Sequence, residues 1–247
     1  MKLLASAALL LSTAAGAAEA VVAVAANFLP VLEILVDDFG NSTPHSVRIT
    51  SGSTGKLHAQ IMNGAPFDVF LSADSDTVIR LEKSGNGVAG TRFTYANGRL
   101  ALWIREPYSL KEDIGETLRQ DGIRHIAIAN PALAPYGRAA IEVLGAVGNP
   151  EEFADRIVMG ENVAQAFAYV ATGNADAGLV ALSNMIQANG KYGGAWAEVP
   201  PDLYSPIRQD ALLLRHGADN EAATAFLAFL ASDAARTRIA ASGYGAD

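Results

Sequence analysis

At 247 residues, with half of them hydrophobic and 18% charged, the chain has an ordinary globular balance and enough length for one large core or two modest ones. A formal charge of −8 argues against nucleic acid or an anionic membrane surface as a partner, so any bound anion has to be caught by local dipoles. The lack of cysteine removes disulfides, thiolate metal sites and thiol catalysis.

The N-terminus reads as a secretory signal peptide over residues 1–20. Lys2 precedes the apolar run 3–11, and small residues follow through Ala20, with cleavage expected after Ala17 or Ala20. The run is too short to span a bilayer, and no later segment is apolar for long enough. Removal of residues 1–20 takes away Lys2 and Glu19 together, which leaves the charge at −8.

Residues 21–25 form a continuous apolar run, as in a parallel strand buried on both faces. Asn27 is placed to cap a helix carrying Leu32, Leu35, Val36 and Phe39, with Pro30 in its tolerant first turn. A β-branched run at 47–50 feeds a helix with Leu57 and Ile61, a third strand is expected at 67–72, and a third helix runs from Asp74 to Gly85. The stretch 93–104 is strand-like with a break at Asn97-Gly98. Ser109 and Glu112 have capping-box spacing for a helix with Leu110, Ile114 and Leu118. Further strands are expected at 125–129, 157–159, 179–181 and 210–214. Helices are expected from Pro135 to Gly148, from Asn162 onward through Val163 and Val170, and twice near the C-terminus, around Phe226 and Ile239.

Strands that alternate with helices imply an α/β fold of mostly parallel, helix-covered sheets. The pattern falls into two blocks, and the tail is too short for a domain of its own. The expected organisation is a first lobe of residues 21–97 plus 206–247 and a second lobe of 98–205.

Four strand-to-helix junctions carry the candidate chemistry: Ala26-Asn27, Ser53-Thr54-Gly55, Pro135-Tyr136-Gly137 and Asn162-Val163. The first amides of a helix have no intrahelical partner, and the peptide dipoles add partial positive charge there. Glycine lets the backbone approach a ligand closely, and Ser or Thr hydroxyls add donors, so residues 50–57 read as an anion cradle. They are not a nucleotide P-loop, which needs Gly at position 50 and Ser or Thr at position 57, where Thr50 and Leu57 stand. In open α/β sheets ligands bind beyond the carboxyl ends of strands, and each block supplies two of the junctions.

Enzyme constellations are poor. No G-x-S-x-G elbow occurs, and the four histidines have no metalloprotease spacing. The pairs Asp37-Asp38 and Glu151-Glu152 are sequence neighbours that point apart. Lys56 and Arg138 stand beside two junctions and are candidates to pair with an anion, although such side chains usually stay solvated.

The junctions sit within a longer series of segments in fixed order: 25–29 (AANFL), 51–57 (SGSTGKL) with 59–61 (AQI), 63–74 (NGAPFDVFLSAD), 129–131 (ANP) with 134–137 (APYG), and 160–163 (GENV). On these segments, and over nearly all of its expected mature length, the chain resembles the periplasmic molybdate-binding proteins of ABC transporters. The resemblance implies a type II periplasmic-binding fold, with two α/β lobes joined by two crossing segments and an oxyanion held in the cleft. It places ligand donors on Ala26 and Asn27, on Thr54 or its neighbour Ser53, and on Tyr136 and Val163, mostly through backbone amides. Many members have Ser or Thr where this chain has Ala26, and some have a contacting Tyr where it has Ala181, so those side-chain contacts do not carry over.

The resulting expectation is a periplasmic, monomeric and non-enzymatic binding protein. It would take molybdate or tungstate without a cofactor, meet molybdenum only as the oxyanion, and deliver it to a membrane permease. Sulfate on the same scaffold is the nearest rival. Phosphate keeps a proton near neutral pH and calls for an acceptor that these junctions lack. An exported serine hydrolase would need a base near Ser53 or Ser72 that the sequence does not name. A DNA-binding regulator would need a reading helix and no leader.

Overall fold

The computed structural model describes residues 16–245. Most of the expected leader, residues 1–15, lies outside the described residues. Among the described residues no helix is long and apolar enough to cross a membrane.

Two five-stranded sheets organise the chain. The first is built from β1 (Glu19–Ala25), β2 (Ser46–Gly52), β3 (Val69–Leu71), β4 (Phe93–Gly98) and β10 (Ile207–Leu213), in the order β2-β1-β3-β10-β4. The second contains β5 (Leu100–Ile104), β6 (Ile126–Ala129), β7 (Ile157–Gly160), β8 (Ala177–Ala181) and β9 (Ala195–Glu198), in the order β7-β6-β8-β5-β9. β2, β1 and β3 are mutually parallel, as are β7, β6 and β8. The fourth strand of each sheet, β10 or β5, runs antiparallel to both neighbours.

The crossings explain these antiparallel strands. β4, at the edge of the first sheet, continues through Arg99 into β5 of the second. In return, β9, at the edge of the second, leads through residues 199–206 into β10 of the first. Each lobe thus receives its antiparallel strand straight from the other, and two covalent connections hold the cleft between them.

Helices cover both faces of each sheet. α1 (Leu29–Ser42), α9 (Glu221–Leu230) and α10 (Asp233–Ala241) share one face of the first sheet, where Val22 and Val24 meet Leu32, Leu35, Phe39 and Phe226. α2 (Thr54–Met62) and α3 (Ser75–Lys83) lie on the other, where Ala23 and Phe70 meet Leu57, Ile61, Val78 and Leu81. The alternation of Val22, Ala23 and Val24 between two cores is the period-two pattern of a strand buried on both faces. In the second sheet, α4 (Ile114–Leu118) and α5 (Pro135–Val147) cover the face of Leu100, Leu102 and Ile128. α7 (Val163–Ala171) and α8 (Leu182–Ala188) cover the face of Ala101, Trp103 and Ala127. The short α6 (Pro150–Ala154) completes the set.

Several local expectations need correction. Ser109 and Glu112 do not form a capping box, because α4 starts later, with Asp113 as its cap accepting from the Glu116 amide at 2.8 Å. Ser109 instead exchanges main-chain hydrogen bonds with the Gln120 side chain. The third strand is three residues long rather than six. The edge strand β9 and the helix α8 carry no periodic pattern of their own, and the sequence reading did not find them.

Candidate functional site

Each of the four junctions ends a strand and opens a helix, but they are built differently. After Ala25 the chain turns through residues 26–28, and α1 is capped by Phe28 with no side-chain bond. Asn27 is therefore not the helix cap expected from its position. Its amide is drawn into the interior, where Nδ2 donates to Gln209 at 2.8 Å and to Tyr244 at 3.2 Å. At the second junction Ser53 is the cap of α2 and accepts from the Lys56 amide at 3.4 Å, leaving Thr54 as the first helical residue. At the third, Pro135 takes the first helical position, which suits its missing N–H, and Tyr136 follows. At the fourth, Asn162 caps α7 by accepting from the Gln165 amide at 3.0 Å, so Val163 opens the helix as expected.

All four junctions meet. Ala26, Asn27, Ser53, Thr54, Tyr136 and Val163 line one space together with Ala25, Gly52, Ala73, Ala134, Pro135 and Asn162. This space has about 200 Å³ of free volume, its solvent-open mouth included. Drug-sized ligands need roughly 300 Å³ or more, so the space suits one compact group rather than a sugar, peptide or nucleotide. Its lining contains no carboxylate, ammonium or guanidinium group. The amides of Thr54, Tyr136 and Val163 belong to first turns and have no intrahelical acceptor, and three helix dipoles point their positive ends here.

The donors are not equivalent. The Ala26 amide donates to the Gly52 carbonyl at 2.9 Å, so Ala26 lines the space without offering a free N–H, which corrects the expectation of a donor there. Thr54 Oγ1 accepts from the Ala73 amide at 3.1 Å and Ser53 Oγ from Lys56, so each hydroxyl keeps its own proton to donate. The Tyr136 hydroxyl turns away from the lining and meets Gln209 Nε2 at 3.4 Å. Burial holds the phenols of Tyr95, Tyr136 and Tyr244 above the ordinary tyrosine pKa, so all three remain neutral.

The two cations expected beside the junctions are used elsewhere. Lys56 Nζ lies 3.0 Å from Glu161, and Arg138 reaches Asp74 at 2.7 Å, each pair bridging from one lobe to the other. The lobes also touch through the main chain, where the Gly55 amide donates to the Leu133 carbonyl at 2.9 Å. A β-carbon at Gly55 would stand 3.1 Å from that oxygen, so glycine permits the approach.

Sequence reasoning missed the residues behind the lining: Tyr95, Ser183, Gln209 and Tyr244. Asn27 is separated from Gln209 by 182 positions and from Tyr244 by 217, and no local pattern marks such partners.

Comparison with known proteins agrees with this architecture. Residues 20–245 match the family described as bacterial extracellular solute-binding protein. The chain is 48% identical over 236 residues to the molybdate-binding protein ModA of Azotobacter vinelandii, covering 96% of this chain and 93% of that relative. It is 44% identical to ModA of Rhodobacter capsulatus, with 95% of this chain and 91% of that protein covered. The solved structure of the Azotobacter vinelandii periplasmic molybdate-binding protein superposes with a TM-score of 0.86 at 40% identity, covering 92% of this chain and 99% of that one. The chain belongs to the family of bacterial extracellular solute-binding proteins, the same family as the ModA molybdate-binding proteins.

Proposed function

We propose that this protein captures molybdate or tungstate outside the cytoplasm and delivers it to the membrane permease of an ABC transporter. One observation carries the reading: four helix-opening junctions, two from each lobe, surround one small space with neutral donors. A compact dianion suits such a space. Amides and hydroxyls supply its hydrogen bonds, helix dipoles offset its charge, and a lining without carboxylates does not repel it. The relatives named molybdate-binding support the same ligand class.

In this reading Asn27, Thr54, Tyr136 and Val163 present main-chain donors, Ser53 and Thr54 add hydroxyls, and Ala26 shapes the wall. The lobes are residues 21–97 with 206–247, and 98–205. The protein acts as a monomer, needs no cofactor and catalyses no reaction. It reaches the periplasm by a cleaved leader. Cleavage after Ala17 keeps β1 whole, whereas cleavage after Ala20 would remove its first two residues, including the buried Ala20.

Calorimetric titration of the ligand-free protein with molybdate, tungstate, sulfate and phosphate tests the proposal. One molybdate or tungstate ion per chain, bound in preference to the other two anions, is the expected outcome. Preference for sulfate would transfer the protein to the rival ligand, and no binding of any oxyanion would end the reading.

A further inference from the structure

Behind the lining, a buried hydrogen-bond frame ties the lobes together with Gln209 at its centre. Gln209 lies on β10 and is fully buried. Its Oε1 accepts from Asn27 Nδ2 at 2.8 Å and from the Tyr95 hydroxyl at 3.0 Å, both in the first lobe. Its Nε2 donates to the Tyr136 hydroxyl at 3.4 Å, in the second. A primary amide has two acceptor sites and two donors, so one face of this side chain is filled by one lobe while the other reaches across.

Two features of the backbone make room for this arrangement. The β4–β10 ladder shifts register between Gln209 and Asp210: Ala96 stands opposite Gln209 and Thr94 opposite Asp210, which leaves Tyr95 as the extra residue. A bulge of this kind re-aims a side chain, and here Tyr95 is brought onto Gln209. At the crossing from β4 to β5, a β-carbon on Gly98 would lie 2.5 Å from the Tyr136 hydroxyl and 2.6 Å from Gln209 Nε2. The connecting strand therefore passes directly against the inter-lobe hydrogen bond, and any side chain at position 98 would displace it.

Asn27 and Tyr136 share a division of labour. Each lines the candidate oxyanion space and also places its side chain in the frame. We infer that Gln209 is a positioning residue for oxyanion capture: by bonding both side chains it sets the separation of main-chain donors contributed by opposite lobes, without touching the ligand. The inference rests on the oxyanion reading given above.

The test titrates sodium molybdate into wild type, Gln209→Leu, Tyr136→Phe and the double variant, with melting curves for each. Wild type binds one ion per chain. Gln209→Leu weakens binding about tenfold at unchanged stoichiometry, the scale of one or two neutral hydrogen bonds. Tyr136→Phe weakens it severalfold, and the double variant loses less than the product of the two single losses, because both changes cut the Gln209–Tyr136 link, while Tyr136→Phe alone also takes the hydroxyl from the Arg99 main chain. Wild-type affinity in Gln209→Leu overturns the inference, as does a double variant whose loss equals the product of the two single losses. A purely structural role would lower the melting temperature and the active fraction but leave the losses multiplicative, which also overturns it. If Gln209→Leu does not fold, Tyr136→Phe decides, since wild-type affinity there removes the link. Wild type that binds no molybdate fails the underlying reading instead, and is recognised because no variant comparison is then possible.

Discussion

Thr54 and Tyr136 line the cleft, while Lys56 and Arg138, two positions further along the same helices, bond to carboxylates of the opposite lobe. Positions i and i+2 of a helix do not share a face, so one helix start gives one side of its opening residues to a neutral floor and the other side to a charged rim. The rim pairs are partly exposed, with side-chain exposures of 52% and 42% for Lys56 and Glu161. Exposed pairs of this kind contribute about 0–1 kcal/mol. The floor residues are buried, and hydrogen bonds to a charged group there contribute about 1.5–3 kcal/mol each. Proximity of a cation to an anion site thus says little about what holds the anion. Here the charges beside the junctions act between the lobes, and uncharged residues line the candidate oxyanion space.

Anion selectivity is the largest effect expected of a neutral floor. Fixed neutral donors select an anion by size and protonation rather than by charge alone, so molybdate and tungstate are expected to bind at least about a hundredfold more tightly than sulfate, roughly 2.7 kcal/mol. Competition calorimetry reads this ratio directly, and equal affinities would mean the floor does not measure anion size.

Removal of a single floor donor comes next. Asn162 already has the extended geometry, φ −146° and ψ 175°, that a following proline requires, so Val163→Pro should fold while deleting one amide donor. A loss of about 1.5–3 kcal/mol in molybdate affinity is expected, with Val163→Ala close to wild type. Circular dichroism and titration of both variants separate the main-chain donor from the side chain; a folded proline variant with full affinity would take Val163 off the floor.

Thr54→Ala should weaken binding on the same scale, about 1.5–3 kcal/mol, because it removes a hydroxyl donor; it also strips the Ala73 amide of its acceptor. Comparing the melting temperature of the ligand-free variant with its affinity apportions the two effects. Lys56→Ala, by contrast, should cost less than about 1 kcal/mol in affinity. If Lys56→Ala proves more damaging than Thr54→Ala, the roles assigned to floor and rim are reversed.

The smallest expected effect is that of pH. With the neighbouring phenols held neutral by burial, affinity for molybdate should stay level from about pH 6 to about pH 9. Stability follows a different course. Tyr95 and Tyr136 are protonated in both folded and unfolded chains below the ordinary value of 10.0, so their contribution is complete there. Above it the unfolded phenols ionise first, and stability falls as the pH climbs toward the raised folded values. Melting temperatures measured across this range should be level at first and then decline; a decline beginning well below pH 10 would show that other groups dominate.

The sequence by itself determined the local architecture. Strand runs such as 21–25, the caps Ser53 and Asn162, Pro135 at a helix start and Gly148 at a helix end all depend on neighbours in the chain, and each can be read from a few consecutive residues. For the same reason the Thr54, Tyr136 and Val163 parts of the floor were legible, since these are first-turn amides whose positions follow from where helices begin. Tertiary structure alone decided which junctions converge, where Lys56 and Arg138 find their partners, and that Asn27 leaves helix capping for Gln209 and Tyr244. It also took the Ala26 amide for Gly52 through strand pairing and placed Gly98 against the bond between Gln209 and Tyr136. Those outcomes depend on contacts between residues up to 217 positions apart, and a short-range pattern in the chain holds no record of which distant group will satisfy a buried donor.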